Sequence, residues 1–213
     1  MFKKIIYEKN RIFAAFLLIT IGVLTRLILN GIFFLDLFFV IAIISLLSGL
    51  LIGGYYTFIV PISTMIITDL ILGNTLILLF TWSGFVIIGI IGYILKSKNS
   101  LKLKRAPTII GAGIGGILLY DLWTNFGCWL GWYPHTTNGL LLCYTNAIPF
   151  TLWHLFSTTL ALTILILPIV YLNVYLKENK IIKTDFTINT FEKRITLISP
   201  AILMILSVIT LIV

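Results

Sequence analysis

Apolar residues along this chain fall into seven long runs, separated by short polar breaks. Runs of about 18 or more apolar residues read as bilayer-spanning helices, because lipid offers no partners for unpaired backbone groups. The first covers 13–29, contains Arg26, and is broken by Asn30-Gly31. The second, 32–52, has Asp36 near its start, and Gly53-Gly54-Tyr55-Tyr56 then reads as a tight turn. The third, 57–72, carries Pro61 and Asp69 and stops at Gly73-Asn74. A fourth covers 76–95, and a fifth, 108–123, has Asp121 near its end. The sixth runs over 148–172 and the seventh over 195–213.

Two connections stand out. Residues 125–147 read as the longest link between spans, rich in Gly, Trp, Tyr and Asn but half apolar, a composition that argues against disorder. Residues 177–194 read as a polar linker of mixed charge, in which Ile181, Ile182, Phe186 and Phe191 point to partial burial. The expected architecture is therefore an all-α polytopic membrane bundle. It has a six-helix domain over 1–176, a linker over 177–194 and one additional helix over 195–213.

Composition agrees with this pattern. Only 10% of residues are charged, 60% are hydrophobic and mean hydropathy is +1.13. A soluble domain carries roughly a quarter charged residues. The net charge of +8 sits in short blocks beside the spans, with no basic stripe clear of a membrane segment, so nucleic acid is not an expected partner. No small-residue cleavage site follows the first apolar run, and the segment reads as a retained span.

The basic residues fix an expected orientation. Lys3, Lys4, Lys9 and Arg11 precede the first span, and Lys96, Lys98, Lys102, Lys104 and Arg105 follow the fourth. Lys177, Lys180, Lys183, Lys193 and Arg194 lie between the sixth and seventh. With the N-terminus cytoplasmic, fourteen of the fifteen basic residues fall on the inner side, Arg26 excepted. The positive-inside rule thus predicts a multi-pass cell-membrane protein with an outer C-terminus.

In that orientation Arg26, Asp36, Asp69, Asp121, His135 and His154 cluster toward the outer face. So do all five tryptophans, Trp82, Trp123, Trp129, Trp132 and Trp153. An interfacial aromatic belt is one reading of the indoles and a ligand pocket the other; their confinement to one side favours the pocket. Charges inside a membrane usually pair. Arg26 and Asp36 are the expected structural ion pair, closing the hairpin of the first two spans, although a ligand contact is equally open. Asp69 and Asp121 have no evident partner and become candidates for binding a polar ligand group. His154 reads equally as a satisfied core histidine or a site residue. Cys128 and Cys143 share the 125–147 segment, where a disulfide and two small apolar residues are both open readings. Gly84, Gly89, Gly92, Gly111, Gly115 and Gly116 have the spacing of close helix packing, within the chain or against another subunit.

No phosphate loop, H-E-x-x-H pair or nucleophile elbow occurs, so neither an enzyme nor ATP hydrolysis by the chain's own residues is expected. No cofactor and no metal are expected either.

The stretch Thr124-Asn125-Phe126-Gly127-Cys128-Trp129-Leu130, then Tyr133-Pro134-His135, Gly139-Leu140 and Cys143-Tyr144 through Ala147-Ile148-Pro149-Phe150, resembles a family of uncharacterised prokaryotic membrane proteins. Those proteins look like substrate-binding (S) components of energy-coupling-factor vitamin transporters. Thr25-Arg26-Leu27 and Asp69-Leu70-Ile71-Leu72-Gly73 agree, and the likeness covers about residues 12–172. The resemblance implies a six-helix fold that captures a small vitamin-like molecule from outside. It implies as partners a membrane coupling subunit and cytoplasmic ATPases, besides the lipid bilayer. The expected ligand contacts are Asp69, Trp82, Asp121, Asn125, Trp129, Trp132, Tyr133, His135, Tyr144 and His154. Two rivals remain at this point: an accessory subunit of a larger membrane complex without a ligand, and an intramembrane enzyme using Asp69, Asp121 and His154.

Overall fold

The computed structural model describes residues 2–33, 38–97, 103–178 and 188–212. Among them are seven helices and no strand. These are α1 (Phe2–Phe33), α2 (Phe38–Leu47), α3 (Tyr56–Leu72), α4 (Leu78–Ser97), α5 (Ala106–Trp132), α6 (Thr137–Glu178) and α7 (Thr190–Ile212). Five of them, all but α2 and α3, contain a segment long and apolar enough to cross a membrane. The chain is a multi-pass helical membrane protein.

α2 is the hub. It packs against α1, α3, α4, α5 and α6, and its residues from Val40 onward are buried on every side. A helix with no polar face is suited to such a position. It continues into a π turn, Ser48–Ile52, where small residues let backbones meet. A Cβ on Gly49 would stand 2.6 Å from Tyr93 N and collide with the Gly89 carbonyl. One on Gly92 would collide with the Leu46 carbonyl, and one on Gly89 would lie 2.6 Å from Thr57 O. The span-four glycines thus serve packing inside the chain, as their spacing predicts, whereas Gly111 and Gly115 on α5 meet nothing within 4 Å.

The turn after α2 is the expected one. Gly53 and Gly54 both take positive φ, at 70° and 61°, a conformation that costs glycine little. Around this turn the basic end of the bundle is locked. Lys96 Nζ donates to Leu51 O at 2.8 Å and Ile52 O at 2.6 Å, covering carbonyls at the end of the π turn. Arg11, 2% exposed, donates to Gly53 O at 3.0 Å and Glu8 at 3.2 Å, and pairs with buried Glu192 of α7. Tyr55 N also donates to Glu192, at 3.2 Å.

Besides α1 running unbroken through Asn30-Gly31 to Phe33, where the first span was expected to end, three features differ from the sequence reading. Residues 125–147 do not form a long connection: α5 runs on to Trp132, a turn of four residues follows, and α6 starts at Thr137. Trp123, Phe126 and Trp129 recur at helical spacing, and Gly127 does not break the helix because the Phe80 ring packs where its Cβ would stand. At about 1.5 Å per residue, α5 and α6 are roughly 40 and 63 Å long, beyond the ~30 Å hydrocarbon core. Second, α7 begins at Thr190, inside the expected linker, with Asn189 Oδ1 capping it by accepting from Glu192 N at 2.7 Å. Third, Phe191 is 67% exposed and not buried; Ile181, Ile182 and Phe186 lie outside the described residues. The additional helix packs on α4, where Ser207 Oγ lies 3.3 Å from Ser83 Oγ.

Candidate functional site

The end of the bundle opposite the basic lock holds two separate polar clusters. The first joins α1, α3 and α4. Arg26 pairs with Asp69 Oδ1 at 2.7 Å and also donates to Thr68. Trp82 Nε1 donates to Asp69 Oδ2 at 2.7 Å, and Asn74 donates to the same oxygen. Asp69 is thus not the unpartnered acid that its sequence context suggests. Three donors on three segments satisfy both oxygens, which makes it a structural tie. Arg26 finds its acid on α3; the expected partner, Asp36, lies outside the described residues.

The second cluster lies between α5 and α6, which pack along most of their length. His154 Nδ1 lies 2.8 Å from Asp121 Oδ1, with the two side chains 18% and 6% exposed. Asp121 Oδ2 is buried and has no hydrogen-bond partner among the described residues. Asn125, one turn along α5 and half-buried, makes no side-chain hydrogen bond to a described residue, while its carbonyl accepts from Cys143 Sγ at 3.4 Å. Thr158, one turn along α6 from His154, is 1% exposed, and its hydroxyl also lacks a partner among the described residues.

The remaining expected contacts hold the α5–α6 corner together. Trp129 Nε1 donates to Pro134 O at 3.0 Å, and a His135 ring nitrogen lies 2.9 Å from Leu130 O. The Leu130 carbonyl lies at the end of α5, where carbonyls lack helical partners, and the Pro134 carbonyl in the turn also accepts from Thr136 N at 2.7 Å. Thr136 caps α6 by accepting from Gly139 N at 3.1 Å. Tyr144 donates to Leu122 O at 2.8 Å, and Tyr133 accepts from Asn146 at 3.4 Å. Trp132 and Trp153 are half exposed, at 51% and 50%, matching the interfacial belt reading. Cys128 and Cys143 are both free thiols.

An aromatic column also runs from Phe80 to Trp123 (4.7 Å between ring centroids), Phe126 (6.0 Å), Trp129 (5.5 Å) and His135 (5.5 Å). Trp123 Nε1 donates to Ser83 Oγ at 2.8 Å, so this indole works between α5 and α4. Asp121 and His154 therefore come together, with Asn125 one turn further along α5. Asp69 and Trp82 form their own cluster, and Trp129, Tyr133, His135 and Tyr144 belong to the corner. Thr158 is the residue that sequence reasoning missed; its only signal is a spacing of four from His154. No trio of His, Cys, Asp or Glu side chains able to hold a metal occurs among the described residues.

Residues 7–179 match the model of a family described only as a family of unknown function (DUF6580), and the chain belongs to that family. The match takes in α1 to α6 almost whole and leaves out α7. No curated protein and no solved structure matches the chain.

Proposed function

We propose that this protein is an integral membrane substrate-binding subunit for uptake of a small micronutrient, with its ligand site between the outer halves of α5 and α6. The observation that carries the reading is the Asp121–His154 pair with one carboxylate oxygen unused. A buried polar group without a partner costs several kcal/mol in an apolar setting, and ionisable residues within a membrane segment mark ligand or ion pathways by default. Asn125 supplies an uncommitted amide on the same face of α5, facing outward from the acid. The positive-inside rule supports placing this end outside and the Arg11–Glu192 end in the cytoplasm. The likeness to energy-coupling-factor S components enters here as part of the proposal. Six helices lie in the family-matched region, and transport would draw on a membrane coupling subunit and ATPases supplied by other chains.

A second reading, an accessory subunit with no ligand of its own, is favoured by one observation. Trp82, Trp129, His135 and Tyr144 are all occupied in bonds within the chain. Native mass spectrometry of protein purified in mild detergent separates the two. The uptake reading expects a stoichiometric small molecule that is lost in Asp121→Asn and Asn125→Ala and retained in the exposed-residue control Trp132→Ala. An empty wild-type protein that co-purifies with membrane partners other than ATPases sinks it and supports the accessory role.

A further inference from the structure

The α5–α6 register places two unsatisfied oxygens on one seam. A Cβ on Gly113 would lie against Leu162, and Asp121 meets His154, so the helices run antiparallel with eight residues between these points on each. Thr158 falls midway, level with Ile117, on the buried stripe Thr158, Leu162, Ile166. It is four residues, about 6 Å along the axis, from His154. Threonine in a helix usually returns its hydroxyl to the carbonyl four residues back. Thr64, Thr68, Thr124, Thr145, Thr163 and Thr196 do so here. Thr158 does not, although it is buried.

The acid one turn away on α5 is equally unbalanced. No Lys or Arg among the described residues pairs with Asp121, whose ion-pair partner is His154. His154 Nδ1 engages Oδ1, and Oδ2 is left without a donor among the described residues. The seam then offers two hard oxygens without a donor, one from a carboxyl group and one from a hydroxyl. Hard oxygens favour alkali and alkaline-earth ions over soft metals. One carboxylate balances one charge, and further backbone carbonyls or water can complete the shell of a small ion.

We infer that Asp121 Oδ2 and Thr158 Oγ1 are two ligands of a site for a small monovalent cation, whose binding neutralises the seam beneath the solute. The inference rests on reading the α5–α6 stripe as a ligand site, and it adds the charge class of what binds deepest there. A neutral solute can then sit over Asn125 without meeting an uncompensated acid.

The test uses full-length protein in detergent with no added solute. Thermal unfolding is followed in sodium, potassium and choline chloride at equal ionic strength, and binding of radioactive sodium is measured directly. A saturable rise in midpoint with sodium, absent with choline, is expected. Thr158→Val keeps the shape and removes the ligand oxygen, and it weakens the apparent sodium affinity about tenfold or more; Asp121→Asn abolishes the response. Identical midpoints in all three salts, or an unchanged sodium response in Thr158→Val, overturn the cation site. Because sodium is read without solute, and solute by mass spectrometry, loss of one result leaves the other interpretable. A retained micronutrient with no sodium response overturns this inference alone.

Discussion

Removing Glu192 unbalances the most deeply buried charge among the described residues. Arg11 is 2% exposed and the Glu192 side chain 5%. Two like-sized charges in contact are worth about 4 kcal/mol at an effective dielectric of 20. Deleting one partner of a buried pair typically costs about 3–5 kcal/mol, because the other charge is left uncompensated. In Glu192→Ala, Arg11 keeps Gly53 O and Glu8, whose side chain is 43% exposed and so a weak substitute. Tyr55 N loses its acceptor as well, a further loss of about 1 kcal/mol. The expected destabilisation is therefore about 4–6 kcal/mol.

Glu192→Gln keeps an acceptor for both donors and removes only the charge, so it falls between Ala and wild type. Arg11→Met combined with Glu192→Met removes both charges, and buried pairs replaced by apolar residues are often neutral or better. SDS titration with tryptophan fluorescence would rank the four proteins, and a double-mutant cycle isolates the coupling. The reasoning fails if the paired Met variant is as unstable as Glu192→Ala, or if Glu192→Ala costs less than about 1 kcal/mol.

Other expectations test separate parts of the structure. Gly49→Ala places a methyl against the Gly89 carbonyl, so its thermal midpoint drops sharply, by the equivalent of about 1–3 kcal/mol or more. Gly111→Ala meets open space and stays within about 0.5 kcal/mol of wild type in the same melt. Trp82→Phe removes one donor to Asp69 while Arg26 and Asn74 remain, which costs about 1 kcal/mol by SDS titration. Asn138→Cys, on the exposed start of α6, should react with an impermeant reagent on intact cells, whereas Lys104→Cys should not; the reverse result inverts the proposed orientation.

Helix number, the Gly53-Gly54 turn and the tight glycines of α4 are legible from sequence because each is a local property of the chain. Residues 125–147 were harder, because reading them by composition hides a period. Trp123, Phe126 and Trp129 fall at spacings of three, and Cys143 and Ala147 at a spacing of four, both helical. Their helices run past the apolar runs that hydropathy detects. Long-range pairing is not local at all. Arg26 lies ten residues from Asp36 but bonds to Asp69, which is 43 residues away. Likewise nothing in the pattern joins Asp121 to His154, 33 residues apart, until the α5–α6 register is known.

That difference separates Asp69 from Asp121, the acid assigned to the proposed site. Asp69 and Asp121 look alike in sequence: single aspartates near the same end of apolar spans. In the fold Asp69 receives Arg26, Trp82 and Asn74, and its charge is spent holding three segments together. Asp121 receives one imidazole and keeps an oxygen without a donor, and Thr158 on the facing helix likewise keeps a hydroxyl without a partner among the described residues. Evolution toward stability alone would remove such an arrangement, since an unsatisfied buried acid is a standing cost. The tolerance of that cost at one aspartate, in a bundle that satisfies the other fully, is the physical ground for placing ligand chemistry between α5 and α6. It follows that Asp69→Asn should lower stability and leave ligand occupancy per folded protein unchanged, whereas Asp121→Asn should empty the site while the fold holds. A loss of ligand in proportion to stability for both variants would erase the distinction.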